Sequence, residues 1–430
     1  MKRLANILGY GSDRKSNAML FSMQLVVASF PFVEHINSWA IIIMTLVFLF
    51  TVNRSNFSFD FKNRKIGLYF ISYFLILLIG LSYTDNISIG MNDLTLKLSF
   101  IIFPFTLLFN KRIDQHFLRG VVRVFYYTLF FVSIYLLISA WMHMQNAGEI
   151  DLAEALSYFT YEKLAANLGI QPIYLSMYMV FSFFAVIWDL FIDPKIGLTK
   201  SGKWMARIWA FHFYMMVILL SSRMELLVLL FISFMGLAYY QGKVLKHWAS
   251  AIFKILVLGS ATIFLLGLFP VNKARYEEMV DMQKDYTQTK WGGRSIRIHK
   301  WLNTLELISE QPILGTGVGD MQEELQAVYK RNHFDLAYNY RFNPHNQYLQ
   351  TWAATGILGL LCLFGIFFLS FKYAIDSKNA LYMALVLLLF LSMISESMLE
   401  RQKGLVFFSF FLLFFGGYYF NHKERTPLPK

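Results

Sequence analysis

Apolar runs long enough to cross a lipid bilayer recur along nearly the whole of this chain, and a lipid environment leaves the backbone few choices. The runs fall at 18–33, 38–52, 66–83, 94–109, 117–142, 172–191, 204–220, 225–240, 250–269, 347–371, 379–395 and 404–420, about twelve in all. The first two are short for a span, so either they extend into flanking polar positions or one of them lies at the interface. Backbone amides and carbonyls in hydrocarbon must bond to one another, which permits helices and closed barrels. Barrel strands would alternate apolar and polar residues, whereas these runs are continuous. The expectation is an all-α integral membrane protein with about twelve transmembrane helices. Its 57% apolar content overrides the two or three soluble domains that 430 residues would otherwise suggest.

The net charge of +12 is distributed as in a membrane protein and does not point to nucleic acid. Lysines and arginines crowd alternate short connections, among them Lys62, Arg64, Lys65, Lys111, Arg112, Lys195, Lys200, Lys203, Lys243 and Lys246. The intervening short connections hold little beyond Lys97, Lys163, Arg223, Arg401 and Lys403. This bias predicts both termini in the cytoplasm. The apolar run after Met1–Ser16 has no small-residue cleavage pattern, so it reads as a retained span and not a signal peptide. Cys362 is the sole cysteine, which excludes an intrachain disulfide or a thiolate metal cluster.

The pattern divides the chain into spans one to nine over 1–270, a polar break over 271–346, and three further spans with a tail over 347–430. The break falls on the outside by the same charge bias, and long loops without a function are uncommon. It reads as a charged helix over 271–288, a turn at Trp291-Gly292-Gly293, a helix over 294–310 stopped by Pro312, a flexible Gly315-Thr316-Gly317-Val318-Gly319, and a helix capped by Asp320 and running to about Arg331. Tyr338, Tyr340, Arg341 and Phe342 then lead back to the membrane. A smaller outside segment, 144–171, has the pattern of one amphipathic interfacial helix.

Three constellations could carry chemistry. Arg223 lies between two spans with almost no loop, where Ser222 and Glu225 match a capping box. A helix amino terminus with a guanidinium beside it suits phosphate, and the plainer alternative is an arginine reaching to lipid headgroups. His345 follows Asn343 and Pro344, good cap and first-turn residues, which places it in the first turn of the next span. There the helix dipole disfavours imidazolium and keeps the ring neutral as a general base, with Asn346 able to orient a hydroxyl or the ring. Arg294 and Arg297 flank Trp301 on a helix, and Arg297 and Trp301 share a face. Arginines hold pyrophosphate oxygens in pairs, whereas the alternative is a solvated face paired with Glu306 or Glu310. Three other patterns are weaker. Gly315-x-Gly317-x-Gly319 lacks the strand of a dinucleotide site; Glu149-x-Asp151 begins an amphipathic stretch where acids suit the helix dipole; and His299, His333, Asp335 and His345 fit no zinc spacing.

Arg297-(x)3-Trp301, Pro312-Ile313-Leu314-Gly315-Thr316-Gly317, His345-Asn346-(x)2-Leu349 and Gly356-Ile357-Leu358-Gly359, in that order, resemble the O-antigen ligase and polymerase superfamily, and most closely an O-antigen ligase. Arg223 at the outer end of an earlier span agrees with the resemblance. The resemblance implies a GT-C-type fold in the bacterial cytoplasmic (inner) membrane, with the site on the periplasmic side. It also implies transfer of a glycan from undecaprenyl diphosphate to a hydroxyl of lipid A-core, with inversion and without metal or cofactor. The membrane lipids and these two substrates are the expected partners, and nucleic acid is not. In that scheme His345 is the base, Arg223 and Arg297 face the leaving diphosphate, and Arg294, Trp301, Tyr338, Arg341 and Asn346 support binding. A repeat-unit polymerase of O-antigen or exopolysaccharide would use the same residues. A lipid-linked glycan flippase is the reading from another class, and it calls for charged or broken helices within the bilayer.

Overall fold

The computed structural model describes residues 7–192, 200–270 and 294–425. Among these the chain is helical, with no strand beyond an isolated bridge between Phe57 and Asn110. All of the apolar runs coincide with helix. Among the described residues 9 helical segments are long and apolar enough to cross a membrane, and Ala380–Ser392 is a shorter apolar helix. The helices are α1 (Arg14–Ser29), α2 (Glu34–Thr51), α3 (Lys65–Gly80), α4 (Ile87–Leu96, continued by helical turns to Leu108), α5 (Gln115–Asn146), α6 (Pro172–Ile192), α7 (Lys200–Leu219), α8 (Arg223–Leu237), α9 (Trp248–Gly267), α10 (Arg294–Glu310), α11 (Met321–Arg331), α12 (Asp335–Asn339), α13 (Gln347–Asp376), α14 (Ala380–Ser392) and α15 (Gln402–Arg425). The predicted helix over 271–288 and the Trp291-Gly292-Gly293 turn lie outside the described residues.

The chain forms two compact units, one of Met1–Met23, Trp39–Gly120 and Asp281–Lys430, the other of Gln24–Ser38 and Val121–Val280. The second unit is held by aromatic packing of Phe30 against Phe125 and Tyr178, with ring centroids 6.0 and 5.6 Å away. It also contains a charge pair suited to an apolar setting. Arg123 donates through Nε and a terminal nitrogen to the two carboxylate oxygens of Asp189, both at 2.8 Å, and the Tyr126 hydroxyl adds a third bond at 2.9 Å. Such two-point geometry offsets the desolvation that makes a lone buried charge unfavourable. The segment over 144–171 is not one amphipathic helix. It breaks into Leu152–Ser157, capped by Asp151 accepting from the Glu154 amide at 2.7 Å, and Tyr161–Ala165. The local side-chain cap at Asp151 starts a separate short helix there.

In the first unit the Gly-rich stretch after α10 is a structural clamp. Helix α13 is interrupted at Gly356, which has φ 65° and ψ −168°. The interruption frees backbone groups that lipid cannot satisfy. Chain 312–317 satisfies them: the Thr316 and Gly317 amides donate to the Ala353 and Ala354 carbonyls at 2.8 and 3.2 Å, and the Ile357 amide donates to the Pro312 carbonyl at 3.1 Å. The approach is so close that a Cβ on Gly356 would lie 1.9 Å from the Ile313 carbonyl oxygen, and one on Gly315 would lie 2.5 Å from the Gly356 nitrogen.

The next residues of the stretch grip the turn before α4. The Gly319 amide donates to the Thr84 hydroxyl at 3.0 Å. Asp320 occupies the N-cap position of α11 but makes no cap hydrogen bond there, contrary to the sequence expectation. Its carboxylate instead accepts from the Asp85 and Asn86 amides at 2.7 and 2.8 Å, tying α11 to the start of α4. Burial raises the Asp320 pKa, and these donors more than offset it, leaving the acid below its ordinary value.

Gly356→Ala is therefore expected to destabilise the protein by roughly 2–4 kcal/mol, through steric overlap and a left-handed backbone. Gly236→Ala, where a new Cβ meets nothing within 4 Å, should be neutral or stabilise by up to about 1 kcal/mol. Thermal unfolding of the detergent-solubilised variants checks the contrast, and similar melting of the two would remove the clamp's importance.

Candidate active site

The extramembrane helices of the first unit pack as a small core on the start of α13. Ile296, Leu307 and Ile308 of α10 meet Met321, Leu325, Val328 and Tyr329 of α11, with Phe334 and Ala337 beside them and Ala353 beneath. The buried face of α10 is the stripe of Ile296, Lys300, Thr304 and Leu307, spaced as successive helical turns. Lys300 is only 4% exposed, and its ammonium lies 4.9 Å from the centre of the Phe342 ring. A buried lysine in that stripe was not anticipated from the sequence, which drew attention to Arg297 and Trp301.

His345 does not occupy the first turn of α13. The helix begins at Gln347, and Asn346 is its cap, its side-chain oxygen accepting from the Tyr348 and Leu349 amides at 3.0 and 3.1 Å. Asn343 does not cap the helix; its side-chain oxygen accepts from the His345 amide at 3.0 Å. His345 thus sits just outside the helix with φ 48°, a left-handed conformation uncommon for a residue with a side chain. That turn aims the ring at Glu396, whose Oε2 lies 3.1 Å from His345 Nδ1. Glu396 comes from the 393–401 link between α14 and α15 and is buried.

The electrostatics fix the protonation states. Burial lowers the His345 pKa; the hydrogen bond to Glu396 pulls it upward, while the positive charges of Lys300 and Arg297 push it down, and the net result is below the ordinary imidazole value. Near neutral pH the ring is then uncharged. The carboxylate selects the tautomer in which Nδ1–H donates to Glu396, leaving the Nε2 lone pair to accept a proton. Burial pushes Glu396 upward, but the His345 hydrogen bond and the nearby positive charges of Arg297 and Lys300 more than offset it, so this acid stays ionised. Lys300 falls to about 7, from burial first and then from Arg297, with Glu396 only partly opposing. The arrangement is an oriented neutral base beside cations suited to an oxyanion.

The structure brings Arg297, Lys300, His345 and Glu396 into mutual electrostatic contact. Trp301 is half-buried, with its indole Nε1 lacking a hydrogen-bond partner among the described residues. Tyr338 is exposed, with Lys330 over its ring. Arg341 is exposed and ion-paired with Glu323. The Arg294 side chain lies outside the described residues. Arg223 belongs to the second unit, as the first residue of α8. The capping box expected before it does not form: Ser222 is at the cap position without a side-chain cap bond, and the preceding Ser221 has φ 51°. Glu396 and Lys300 are the two residues missed. The usable signals were Ser395-Glu396-Ser397, an acid among hydroxyls immediately beyond an apolar run, and the four-residue spacing of Lys300 from Ile296 and Thr304.

These features define a multi-pass helical membrane protein with an extramembrane histidine–carboxylate site. Residues 208–364 match the O-antigen ligase family. The match makes this segment similar to that family, whose description points to glycosyl transfer of the ligase or polymerase type. No curated protein matches the chain.

The His345 ring is expected to titrate with a midpoint below ~6.5. Because Glu396 raises that pKa, Glu396→Gln should lower the midpoint further. NMR of isotopically labelled histidines, assigned with His345→Ala, reads both values, and an upward shift in the Gln variant would contradict the hydrogen-bonded geometry.

Proposed function

We propose that the protein transfers a glycan from a polyprenyl diphosphate, such as undecaprenyl diphosphate, to an acceptor hydroxyl at the periplasmic face of a bacterial cytoplasmic membrane, with His345 as general base. The single observation that carries this reading is the 3.1 Å contact from His345 Nδ1 to buried Glu396, with Lys300 and Arg297 beside the pair. The acceptor O–H gives its proton to His345 Nε2 as its oxygen bonds to the anomeric carbon. On the opposite face of the sugar the bond from that carbon to the diphosphate oxygen breaks, inverting the configuration. The electron pair departs on the diphosphate, whose growing charge Arg297 and Lys300 stabilise. These cations supply the neutralisation that a divalent metal would otherwise give. From the sequence resemblance alone Arg223 is a further proposed diphosphate candidate, and Arg294, Trp301, Tyr338, Arg341 and Asn346 are proposed supporting residues.

The helix break at Gly356 is a feature the flippase reading calls for. It is filled by the backbone of 312–317, so it supports a fixed scaffold better than a moving gate. An O-antigen ligase acting on lipid A-core and a repeat-unit polymerase share this chemistry, and product length separates them.

The test incubates purified protein with a lipid-diphosphate glycan and either lipid A-core or a second repeat unit. His345→Ala should lower kcat by about 10²–10⁴-fold, Arg297→Ala by a comparable factor, and Glu396→Gln by less, with a chelator having no effect. Full turnover by folded His345→Ala would sink the proposal. The pH profile gives an independent reading. On kcat/KM the acid limb should lie below ~6.5, where His345 gains its proton. The alkaline limb should begin near pH 7, where Lys300 loses its own. Bound diphosphate stabilises charged Lys300, so the alkaline limb on kcat should move to higher pH.

A further inference from the structure

A second polar feature of the first unit lies outside the base and its cations. Lys97, within the apolar helical segment Ile87–Leu108, is 2% exposed and pairs with Asp93 and, at 3.0 Å, with Glu400. Gln347 Nε2 donates to Glu400 Oε1 and to the Thr351 hydroxyl, each at 3.1 Å, while Gln347 Oε1 accepts from the Leu399 amide at 2.7 Å. Charged residues inside a membrane helix are unfavourable unless they have partners, and they mark functional positions. Asp93, Lys97, Thr351 and Glu400 of this set border a cavity of about 180 Å³ lined also by Gln322, Asn343 and Gln350. The decisive detail is Gln350, 8% exposed, whose Oε1 is buried and has no hydrogen-bond partner among the described residues. A buried acceptor left in this state is costly, and a ligand hydroxyl or amide would relieve it.

The cavity's chemistry selects among ligands. Lys97 contributes one positive charge against two carboxylates, Asp93 and Glu400, so the lining repels phosphate. Its mixture of amides, acids, one ammonium, and the apolar surfaces of Val318, Met321 and Ala354 matches the alternating hydroxyls and C–H faces of a sugar ring. Its volume is below the ~300–1,000 Å³ of pockets for drug-sized ligands, which suits one ring and not a chain. It adjoins the base, because Asn343 both lines it and accepts from the His345 amide, and because Glu400 shares the 393–401 link with Glu396.

We propose that this cavity is a subsite for a single uncharged sugar ring, taken from the donor glycan or from the acceptor. The assignment rests on the glycosyl-transfer reading for its purpose, and its test does not need transfer to occur. Methyl glycosides of a neutral hexose and of an N-acetylhexosamine are titrated into the purified full-length protein and followed by saturation-transfer NMR. Two variants leave the Asp93, Lys97 and Glu400 set intact: Gln350→Leu removes the waiting acceptor, and Ala354→Leu fills the space. Each should weaken glycoside binding about tenfold, the size of one lost buried hydrogen bond, while the protein remains monodisperse with unchanged melting.

In the transfer assay the variants should raise KM for one substrate, donor or acceptor, and that substrate is the source of the ring. Equal glycoside binding by wild type and both variants overturns the subsite, and so does displacement of the glycoside from wild type by pyrophosphate. If no lipid-linked donor is consumed but binding still depends on Gln350 and Ala354, the transfer reading falls and the subsite stands.

Discussion

Backbone hydrogen bonding across the Gly356 interruption is the constraint on which the first unit depends. A helix broken in an apolar setting exposes amides and carbonyls that have no water to turn to, and this chain meets them with its own extramembrane backbone. Side-chain contacts could slide by a few tenths of an ångström, whereas paired amides and carbonyls fix position and direction together. The same short stretch then bonds through Gly319 and Asp320 to residues 84–86. Helices α10 and α11 enter and leave this stretch, so the orientation of the face bearing Lys300 is inherited from the clamp. His345 lies between α12 and α13 and is set by the same packed core.

What the sequence revealed divides along physical lines. Apolar runs were legible because lipid imposes one requirement at every residue, and each run proved to be helix. The bounds of α10 were equally readable, with Pro312 two residues past Glu310. Ser222, Asn343 and Asp320 are each a residue type able to cap a helix, and local spacing places each before one. In all three the expected cap bond is missing, and for Asp320 and Asn343 another backbone donor took the side chain instead. That competition is set by tertiary approach, which sequence spacing does not encode. The Gly-x-Gly-x-Gly stretch shows the same limit: its glycines signalled close backbone approach, and the partner was Gly356 and not a phosphate. Glu396 was hidden because its pairing with His345 joins positions 51 residues apart.

The protonation states give the site a direction. Burial and Arg297 lower the Lys300 pKa to about 7, and burial holds His345 below the ordinary imidazole value. An anion placed beside them favours the protonated form of both groups, because the charge that disfavours each is offset. By reciprocity, protonating either group strengthens the hold on the anion. A diphosphate leaving group would therefore become better stabilised as His345 takes the acceptor's proton, the two charges developing together. Glu396 acts on both groups in the same direction as such an anion: it remains ionised, orients the ring through Nδ1, and leaves Nε2 as the nitrogen that changes its charge. A carboxylate that was itself protonated could not perform that role. The cations that hold it ionised are the same ones that would receive the departing diphosphate.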